Sequence, residues 1–562
     1  MTEISKMNNI EKLISKYDVI SFDIYDTLIV RYFSKPIDVF KFIEMNEGID
    51  GFFCARINAE KKARRFYKKE KEDITINDIY SFINDKYNKF IDIEKNYEIK
   101  YTNKYKETYE IYKIALKLNK KIIFTTDMYL DRNTILQILL NNGYDKFDKL
   151  YISGEIGLTK RTGNLFKYLL KDLNISSNSI LHFGDDDNND IKMSTNCHIS
   201  NYKIENLLDK FLKDNHNKKF LEFYKKNKHD MRAGLLVSFF SINNINNNFD
   251  DFFYYIGYYL GGLVASSYIK FINNESTNKD GIIFVARDGY LLKKFYDKTY
   301  NDIPTYYVNA QRVLNITSSI QRKHIKYLLR IVSKPLDIIL PKNKYLLHFL
   351  QFFIFFKHKK EIMPIVEQNL KEYEDYINKL NIIGKNILSI DMISSEFTSQ
   401  LFLQRILKNK TIQGIFFSSS KKDRHKNSNI FIPRKLFFKK YDIYRLIEYL
   451  FTSPEPPIAE IKDGKCIYKQ IDSSFMLEQQ KRIKSFEKGI NDFFDKFDNK
   501  FKDLRFPTHI INDFIYKFIE FANNYEIENY KKCSFDDGNV TNEVNCNLYE
   551  KIKNCMEVKN EN

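Results

Sequence analysis

A chain of 562 residues is too long for one hydrophobic core, and its length predicts about three to four domains. Hydrophobic residues make up 43% of the chain, which is enough for globular packing. The formal net charge of +17 is spread along the chain without a dense Lys/Arg block, so it does not indicate a specific nucleic-acid partner. The basic excess instead favours anionic or phosphorylated substrates.

The six cysteines are scattered, without a CxxC pair or histidines at zinc spacing. This usage is typical of reduced, structural thiols in a cytoplasmic protein. Residues 1–16 are polar and mixed in charge, and they lack the apolar core of a signal peptide. We therefore expect a cytoplasmic location.

The first element of chemical interest is a short apolar strand over residues 19–22, followed by Asp23. In an open α/β sheet, ligands bind in the crevice at the carboxyl ends of the strands. Asp23 is therefore either a nucleophile or metal ligand at that edge, or the polar residue that begins a turn.

Residues 30 to about 118 are predicted to be mainly helical, and this block carries Arg56, Glu60 and Arg64 at intervals of four. Such spacing is typical of ion pairs on a solvated helix face. The alternative is that these side chains contact a substrate from above the sheet.

Beyond this block the α/β alternation returns, with strands predicted over 121–126, 149–152 and 180–184. The first of these strands ends on the hydroxyl residue Thr126, and the last runs into an acidic Gly turn with Asp185 and Asp190. Lys160 lies in a polar loop that precedes a helix.

The order of Asp23, Thr126, Lys160 and the GDxxxxD pattern over 184–190 resembles the haloacid dehalogenase (HAD) superfamily of phosphohydrolases. The resemblance implies a Rossmann-like α/β domain with a helical cap inserted over about residues 31–118, which excludes water and selects the substrate. It also implies a phosphohydrolase or phosphotransferase with Asp23 as the nucleophile, in which Thr126 and Lys160 hold the phosphoryl oxygens. The implied cofactor is Mg²⁺, and its implied ligands are Asp23, the carbonyl of Tyr25, Asp185 and Asp190.

One position departs from the HAD phosphatase pattern. Those enzymes carry a second Asp two residues after the nucleophile, as a general acid and base, and here that residue is Tyr25, followed by Asp26. A Tyr at this position resembles the dehalogenase branch, whose members need no metal and lack the acid-rich fourth motif. Three alternatives keep the enzyme active: Asp26 acts as the general acid and base, the Tyr25 hydroxyl donates the proton, or the substrate has a good leaving group. The fourth alternative is a domain that binds phosphate and turns over slowly.

The first domain is predicted to cover residues 1–212, and the polar segment 213–250 is predicted to be a linker. Residues 252–269 then form a charge-free stretch with the minimum length of a membrane span. Its Tyr, Ser and Gly content predicts a buried helix instead.

A second α/β domain is predicted over 251–460, with strands over 281–286, 305–312, 386–391 and 411–417. Four polar residues fall near the ends of these strands, where they form either a second ligand crevice or ordinary turns and buried ion pairs. They are Arg287, Asp288, Arg312 and Asp391.

The apolar segment 345–356 is too short to span a membrane. It is either a core helix or an apolar surface that docks on a membrane or a partner. The Pro-rich sequence at 453–457 ends the second domain, and residues 461–562 are predicted to be mostly helical with a frayed tail.

The second half resembles the carboxy-terminal region of uncharacterised HAD-like proteins encoded among bacterial surface-polysaccharide genes, on the ARDGY turn at 286–290 and the strand-Asp pattern at 391–400. The resemblance implies a role in capsule or lipopolysaccharide assembly. The main expectation is thus an Mg²⁺-dependent enzyme acting on a sugar phosphate or similar metabolite. The alternative is a phosphate-binding or scaffold module coupled to a transferase or assembly role of the second domain.

Overall fold

The structure is a computed structural model that describes residues 3–245, 251–394, 396–419, 427–433, 443–536 and 545–556. The chain divides into two compact units, residues 1–244 and 245–562. Each unit is built around one parallel sheet of five strands.

The amino-terminal unit has the parallel α/β architecture expected from the sequence. Its sheet has the order β5-β4-β1-β6-β7, and every neighbouring pair is parallel. The central strand β1 is apolar and fully buried because it pairs on both sides. The strands of the unit are β1 Val19–Phe22, β2 Ile29–Arg31, β3 Thr102–Lys104, β4 Lys121–Thr126, β5 Lys149–Ile152, β6 Ile180–Gly184 and β7 Ser200–Lys203.

Four helices lie between β2 and β3, which pair with each other as an antiparallel ribbon. The inserted block is therefore helical as predicted, but it ends earlier than residue 118, because the helix over 106–117 packs against the first helix and β4. The helices of the unit are α1 Glu3–Ile14, α2 Asp38–Asn46, α3 Phe52–Tyr67, α4 Ile76–Tyr80, α5 Phe90–Lys100, α6 Lys106–Lys117, α7 Arg132–Asn141, α8 Ser153–Ile156, α9 Asn164–Leu173, α10 Met193–Asn196, α11 Leu207–Lys213, α12 Lys218–Lys226 and α13 Met231–Ile242.

The segment 213–250 was predicted to be a linker, but its residues up to 242 are largely helical. It contains α12 and α13, and every residue of α13 except Arg232 is buried. The charged residues before residue 231 suggested exposure, but the apolar run that follows them packs against α11 and α12 in the amino-terminal unit.

The second unit contains the second parallel sheet that the sequence predicted. Its order is β12-β11-β10-β8-β9, so the first strand β8 lies between β9 and β10. Its strands are β8 Gly281–Val285, β9 Thr305–Val308, β10 Asn386–Ser394, β11 Thr411–Ser419 and β12 Ser428–Ile432, with the hairpins β13 Ile458–Lys462, β14 Lys465–Tyr468 and β15 Ser534–Asp536, β16 Asn545–Asn547.

Helices cover this sheet, form an insertion between β9 and β10, and make up most of the carboxy-terminal region. They are α14 Phe252–Ile256, α15 Gly262–Glu275, α16 Gly289–Thr299, α17 Arg312–Thr317, α18 Ile325–Val332, α19 Lys344–Lys357, α20 Lys359–Lys379, α21 Thr398–Ile406, α22 Ile443–Phe451, α23 Ser473–Phe493, α24 Thr508–Glu520, α25 Asn524–Lys532 and α26 Leu548–Ile552. Of the tail predicted to fray, residues 537–544 and 557–562 lie outside the described residues.

The charge-free stretch over 252–269 forms α14, a π-helical turn and the first half of α15. Most of its side chains are buried, among them Tyr258 and Tyr268, which agrees with the predicted buried helix. None of the helices in the described ranges is both long and apolar enough to cross a bilayer.

Candidate active site

The polar residues of the four motifs gather at the carboxyl edge of the first sheet. Asp23 directly follows β1, Thr126 ends β4, and Asp185 directly follows β6. Because β1 has β4 on one side and β6 on the other, this edge is the topological switch point of the sheet, where ligands bind in open α/β folds.

Lys160 joins two of the carboxylates. Its Nζ lies 2.5 Å from Asp23 Oδ1 and 2.5 Å from Asp190 Oδ1, and all three side chains are buried. The lysine reaches this position from the loop between α8 and α9, whose backbone is held by Asp127: the amide of Lys160 donates to Asp127 Oδ1 at 2.8 Å. The ion pair between Lys160 and Asp23 thus joins motifs that are 137 residues apart in the sequence.

The three aspartates also fit a metal ion. Ligand oxygens of Asp23, Asp185 and Asp190 all lie within 4.8 Å of one another. With all groups ionised, three carboxylates face one lysine, which leaves an excess of two negative charges for a divalent cation to neutralise. Carboxylate oxygens are ligands for hard divalent cations.

The pKa values reflect this crowding. Burial, together with the charges of Asp190 and Asp185, raises the pKa of Asp23 well above its usual range, against the opposing effect of Lys160. Burial and the neighbouring Asp26 and Asp190 raise the pKa of Asp185 to about 7. Burial alone would raise the pKa of Asp190, but the charge of Lys160 and a hydrogen bond with His182 outweigh it and hold that pKa low. The charges of Asp190 and Asp23 overcome the effect of burial on Lys160 and raise its pKa, so the lysine stays charged.

The turn after β6 explains how Asp190 returns to Asp23. Gly184 is required there, because a Cβ on it would lie 2.4 Å from the Cβ of Asp190. The Asp186 carboxylate accepts hydrogen bonds from the amides of Asn188 and Asn189 at 2.8 and 2.7 Å, which starts a single π-helical segment. Asp186 and Asp187 are exposed, as expected for a solvated acidic turn.

Thr126 is buried at the end of β4. Its hydroxyl makes no hydrogen bond to any residue that the structure describes, whereas the neighbouring Thr125 hydroxyl lies 3.3 Å from Ser21 Oγ. The Thr126 hydroxyl is therefore available to a bound ligand.

Tyr25 and Asp26, the two alternatives for the proton-transfer residue, have different surroundings. The Tyr25 hydroxyl is 3.5 Å from Glu98 Oε2, and the Arg31 guanidinium lies 3.7 Å from the centre of its ring. Burial and the charge of Glu98 raise the pKa of Tyr25. Asp26 adopts a left-handed backbone with φ of 61° and lines a small cavity of about 60 Å³ that also includes Arg31. Burial raises the pKa of Asp26, which favours its protonated form.

Sequence reasoning missed the side chains that support the cluster. His182 lies between Ser21 and Asp190, with Nδ1 2.9 Å from Ser21 Oγ and Nε2 3.1 Å from Asp190 Oδ1. Thr27 Oγ1 donates to Asp185 Oδ1 at 3.3 Å. A histidine inside an otherwise apolar strand was the only signal for this network in the sequence.

Arg56 differs from the solvated ion pair that its spacing predicted. Its side chain is fully buried, and its Nε and Nη2 donate to both oxygens of Glu94 at 2.8 and 2.9 Å. Only Arg64, at the other end of the Arg56–Glu60–Arg64 series, is substantially exposed. The reason is tertiary: α5 brings Glu94 onto the inner face of α3, which the helical spacing alone does not reveal.

The four residues predicted at the second crevice lie along the carboxyl edge of the second sheet. Arg287 and Asp288 follow β8, and Arg312 begins α17 on the surface. Asp391 is inside β10 instead of at its end, because pairing with β11 continues to Ser394. Ser394 is the last residue of this strand, and Ser395 is outside the described residues.

Asp391 and Arg287 at this second edge have different surroundings. Within the described residues no hydrogen bond or salt bridge joins Asp391 to Arg287 or Arg312, and the buried Nε of Arg287 has no hydrogen-bond partner. Asp391 accepts a hydrogen bond from Ser399 Oγ at 2.6 Å, and burial raises the pKa of Asp391 to about 6.

Comparison with known proteins finds a similarity in the first of the two units. Residues 17–198, about a third of the chain, match the family model of haloacid dehalogenase-like hydrolases. This segment is therefore similar to the HAD-like hydrolases that the order of its motifs resembles. No curated protein matches the chain.

Several solved structures resemble the same part of the chain. L-2-haloacid dehalogenase from Xanthobacter autotrophicus is 12% identical, with 35% of this chain and 82% of that one covered and a TM-score of 0.26. A HAD family enzyme from Bacteroides thetaiotaomicron, in complex with magnesium and inorganic phosphate, is 20% identical. The match covers 34% of this chain and 95% of that one, with a TM-score of 0.25. 2-Haloacid dehalogenase from Pseudomonas syringae pv. tomato is 14% identical, with 33% of this chain and 85% of that one covered and a TM-score of 0.25. These identities and scores are too low to transfer an activity.

Proposed function

We propose that the amino-terminal unit is an Mg²⁺-dependent phosphohydrolase or phosphotransferase that acts through an aspartyl-phosphate on Asp23. The observation that carries the proposal is the contact of Lys160 Nζ with both Asp23 and Asp190 beside a third carboxylate, Asp185. Dehalogenation, the alternative reaction that the Tyr25 resemblance suggests, gives no comparable reason for three convergent carboxylates.

Each residue has a distinct part in the proposed reaction. A carboxylate oxygen of Asp23 attacks phosphorus, the bond to the leaving oxygen breaks, and water later cleaves the acyl phosphate to regenerate the carboxylate. The charge of Lys160 opposes the rise in the pKa of Asp23 that burial causes, and the free hydroxyl of Thr126 is placed to donate to a phosphoryl oxygen. A bound Mg²⁺, held by Asp23, Asp185, Asp190 and the Tyr25 carbonyl, would supply Lewis-acid stabilisation of the phosphoryl charge.

For the proton on the leaving group, we propose Asp26 over Tyr25. A raised pKa on a carboxyl group is a favourable property for a general acid at neutral pH, whereas the Tyr25 hydroxyl is engaged with Glu98. The sequence resemblance of the second unit supports a sugar phosphate of surface-polysaccharide assembly as the substrate class.

The full-length protein should release phosphate from at least one member of a panel of sugar phosphates and other phosphometabolites with Mg²⁺. Asp23→Asn should lower kcat by about a thousandfold or more, because the nucleophile is lost. Asp187→Asn, an exposed carboxylate in the same acidic turn, is the matched control and should stay close to wild type. Phosphate release by Asp23→Asn at the wild-type rate would rule out the assignment.

Beryllium fluoride separates this proposal from the scaffold alternative. A catalytic site should bind this phosphoryl mimic in the presence of Mg²⁺ and raise the Tm of the wild type but not of Asp23→Ala. A protein that neither turns over any phosphate ester nor binds the mimic would support the scaffold role.

We also propose an anion-binding function for the carboxyl edge of the second sheet. The buried Nε of the half-buried Arg287 has no hydrogen-bond partner among the described residues, and the charge of Arg287 lowers the pKa of the buried Arg482 in addition to the effect of burial. Arg482 is held by the carbonyl of Tyr449 at 2.7 Å and stacks on that ring, but no described carboxylate pairs with it. Two guanidinium groups arranged in this way suit a phosphate or carboxylate ligand.

A further inference from the structure

The helix α19 presents an aromatic face to solvent. Its sequence, KYLLHFLQFFIFFK, is apolar almost throughout, so one side can pack internally while the other remains apolar. The inward side packs Leu347, Ile354 and Phe355 into a small core shared with α18 and α20. The outward side consists of Tyr345, Phe349, Phe353 and Phe356, whose exposed fractions are 74%, 81%, 69% and 67%.

These four rings form one continuous surface. At about 100° per residue they fall within about 80° of the helix circumference. Ile339, just before the helix, is 93% exposed. Large apolar side chains are normal on a protein surface when they are scattered singly, whereas a contiguous group of them marks an interaction site.

An apolar groove adjoins this face. It has a volume of about 570 Å³ and is lined by Phe352, Phe355 and Phe356 of α19, by Ile320, Ile325 and Met363, and by the cations Arg322 and Lys359. The groove therefore combines an apolar lining with positive charge, which suits the acyl chain and the phosphate of an anionic lipid.

The charges around the face point to the same partner. Residues 338–360 contain five lysines, placed on either side of the aromatic run, and no Asp or Glu. Helices that lie in a membrane interface combine an aromatic or apolar face with nearby basic residues. Anionic lipid headgroups attract such lysines electrostatically.

We propose that α19 and the adjoining groove dock on the surface of an anionic phospholipid bilayer. The helix would lie parallel to the membrane plane, with its four exposed rings among the headgroups and upper acyl chains. The lysines at either end and Arg322 would contact the lipid phosphates. This attachment is peripheral and separate from the chemistry at Asp23.

Vesicle flotation with the full-length protein tests the proposal. We expect binding to phosphatidylcholine vesicles that contain about one third phosphatidylglycerol, and at least about tenfold weaker binding to phosphatidylcholine alone. The double variant Phe349→Ser, Phe353→Ser should bind the anionic vesicles at least about tenfold more weakly. The matched control is Leu477→Ser, an exposed apolar residue on α23, which should bind like the wild type.

The chain has no tryptophan, which permits a site-specific readout. In a Phe353→Trp variant the single tryptophan should shift its emission to shorter wavelength when anionic vesicles are added, and in Leu477→Trp it should not. The doubly charge-reversed variant Arg322→Glu, Lys359→Glu should weaken binding, as should raising NaCl from about 0.1 to about 0.5 M.

Three results would overturn the proposal. One is the absence of vesicle binding by the wild type; another is undiminished binding by Phe349→Ser, Phe353→Ser. The third is a wild-type dimer that the same double variant converts to a monomer without any vesicle binding, since the face would then cover a second copy of the chain. Because all the substituted side chains are exposed, unchanged thermal unfolding of the variants will exclude misfolding as the cause.

Discussion

The two parallel sheets of this protein share a topological feature and differ in the charges that they place on it. In each sheet the first strand, β1 or β8, lies between its neighbours so that the chain reverses its direction of progress across the sheet. At the first switch point Lys160 pairs with Asp23 and Asp190 beside a third carboxylate, Asp185; at the second, the buried Nε of Arg287 has no hydrogen-bond partner among the described residues.

The difference shows that the topology provides the crevice and the residues just after the strands decide its ligand. Excess negative charge at the first edge suits a cation, and the arginine nitrogen without a described hydrogen-bond partner at the second suits an anion. If this comparison is correct, replacing Lys160 at the first edge and replacing Arg287 at the second edge should have opposite effects on the free energy of unfolding.

Lys160→Met should have the largest effect. It leaves Asp23 and Asp190 buried without their shared cation, and breaking a buried pair in this way costs about 3–5 kcal/mol of unfolding free energy. Urea denaturation in EDTA measures the loss, and added Mg²⁺ should recover part of it. Lys203→Met, which breaks an exposed pair with Asp187, is the control and should cost less than about 1 kcal/mol. Equal stability of Lys160→Met and the wild type would contradict the proposed charge balance at the first edge.

Asp391→Asn should change how stability depends on pH. Burial raises the pKa of Asp391 to about 6, so the folded state holds its proton more tightly than the unfolded state does. The stability contributed by the protonated form is fully present below about pH 4 and is lost as the pH rises through about 6. Relative to the variant, the wild type should therefore lose up to about 3 kcal/mol between about pH 4 and pH 7.5.

Urea denaturation of both proteins at the two pH values measures this difference. Asp375→Asn, an exposed carboxylate on α20, should change the stability by less than about 0.5 kcal/mol at either pH. Parallel pH profiles for the wild type and Asp391→Asn would show that Asp391 titrates as it does in the unfolded chain.

Arg287→Met should have the smallest effect and the opposite sign to Lys160→Met. Removing a buried donor without a partner should raise the unfolding free energy by about 1–2 kcal/mol. In EDTA, where the carboxylates of the first edge repel anions, inorganic phosphate should raise the Tm of the wild type but not of this variant. Lys298→Met on the exposed surface of α16 should keep the phosphate effect. A destabilised Arg287→Met variant, or one that phosphate still protects, would remove the contrast between the sheets.

Much of the first unit follows from local patterns. The mainly apolar runs at 19–22, 121–126, 149–152 and 180–184 are strands with those bounds, because a parallel strand covered on both faces is apolar along most of its length. Because parallel strands bring their carboxyl ends to one edge, the order of the strands and of Asp23, Thr126 and Asp185 was sufficient to place these residues near one another.

Other features depend on contacts between residues far apart in the sequence. The burial of Arg56 depends on Glu94 of α5, the support of Asp190 depends on His182, and the extension of β10 past Asp391 depends on its pairing with β11. For the segment 345–356, the apolar composition favoured a core helix but was also compatible with a docking surface. Only the packing of α19 on α18 and α20 decided which side chains are buried and which four rings face solvent, because burial is set by what covers a helix and not by the helix itself.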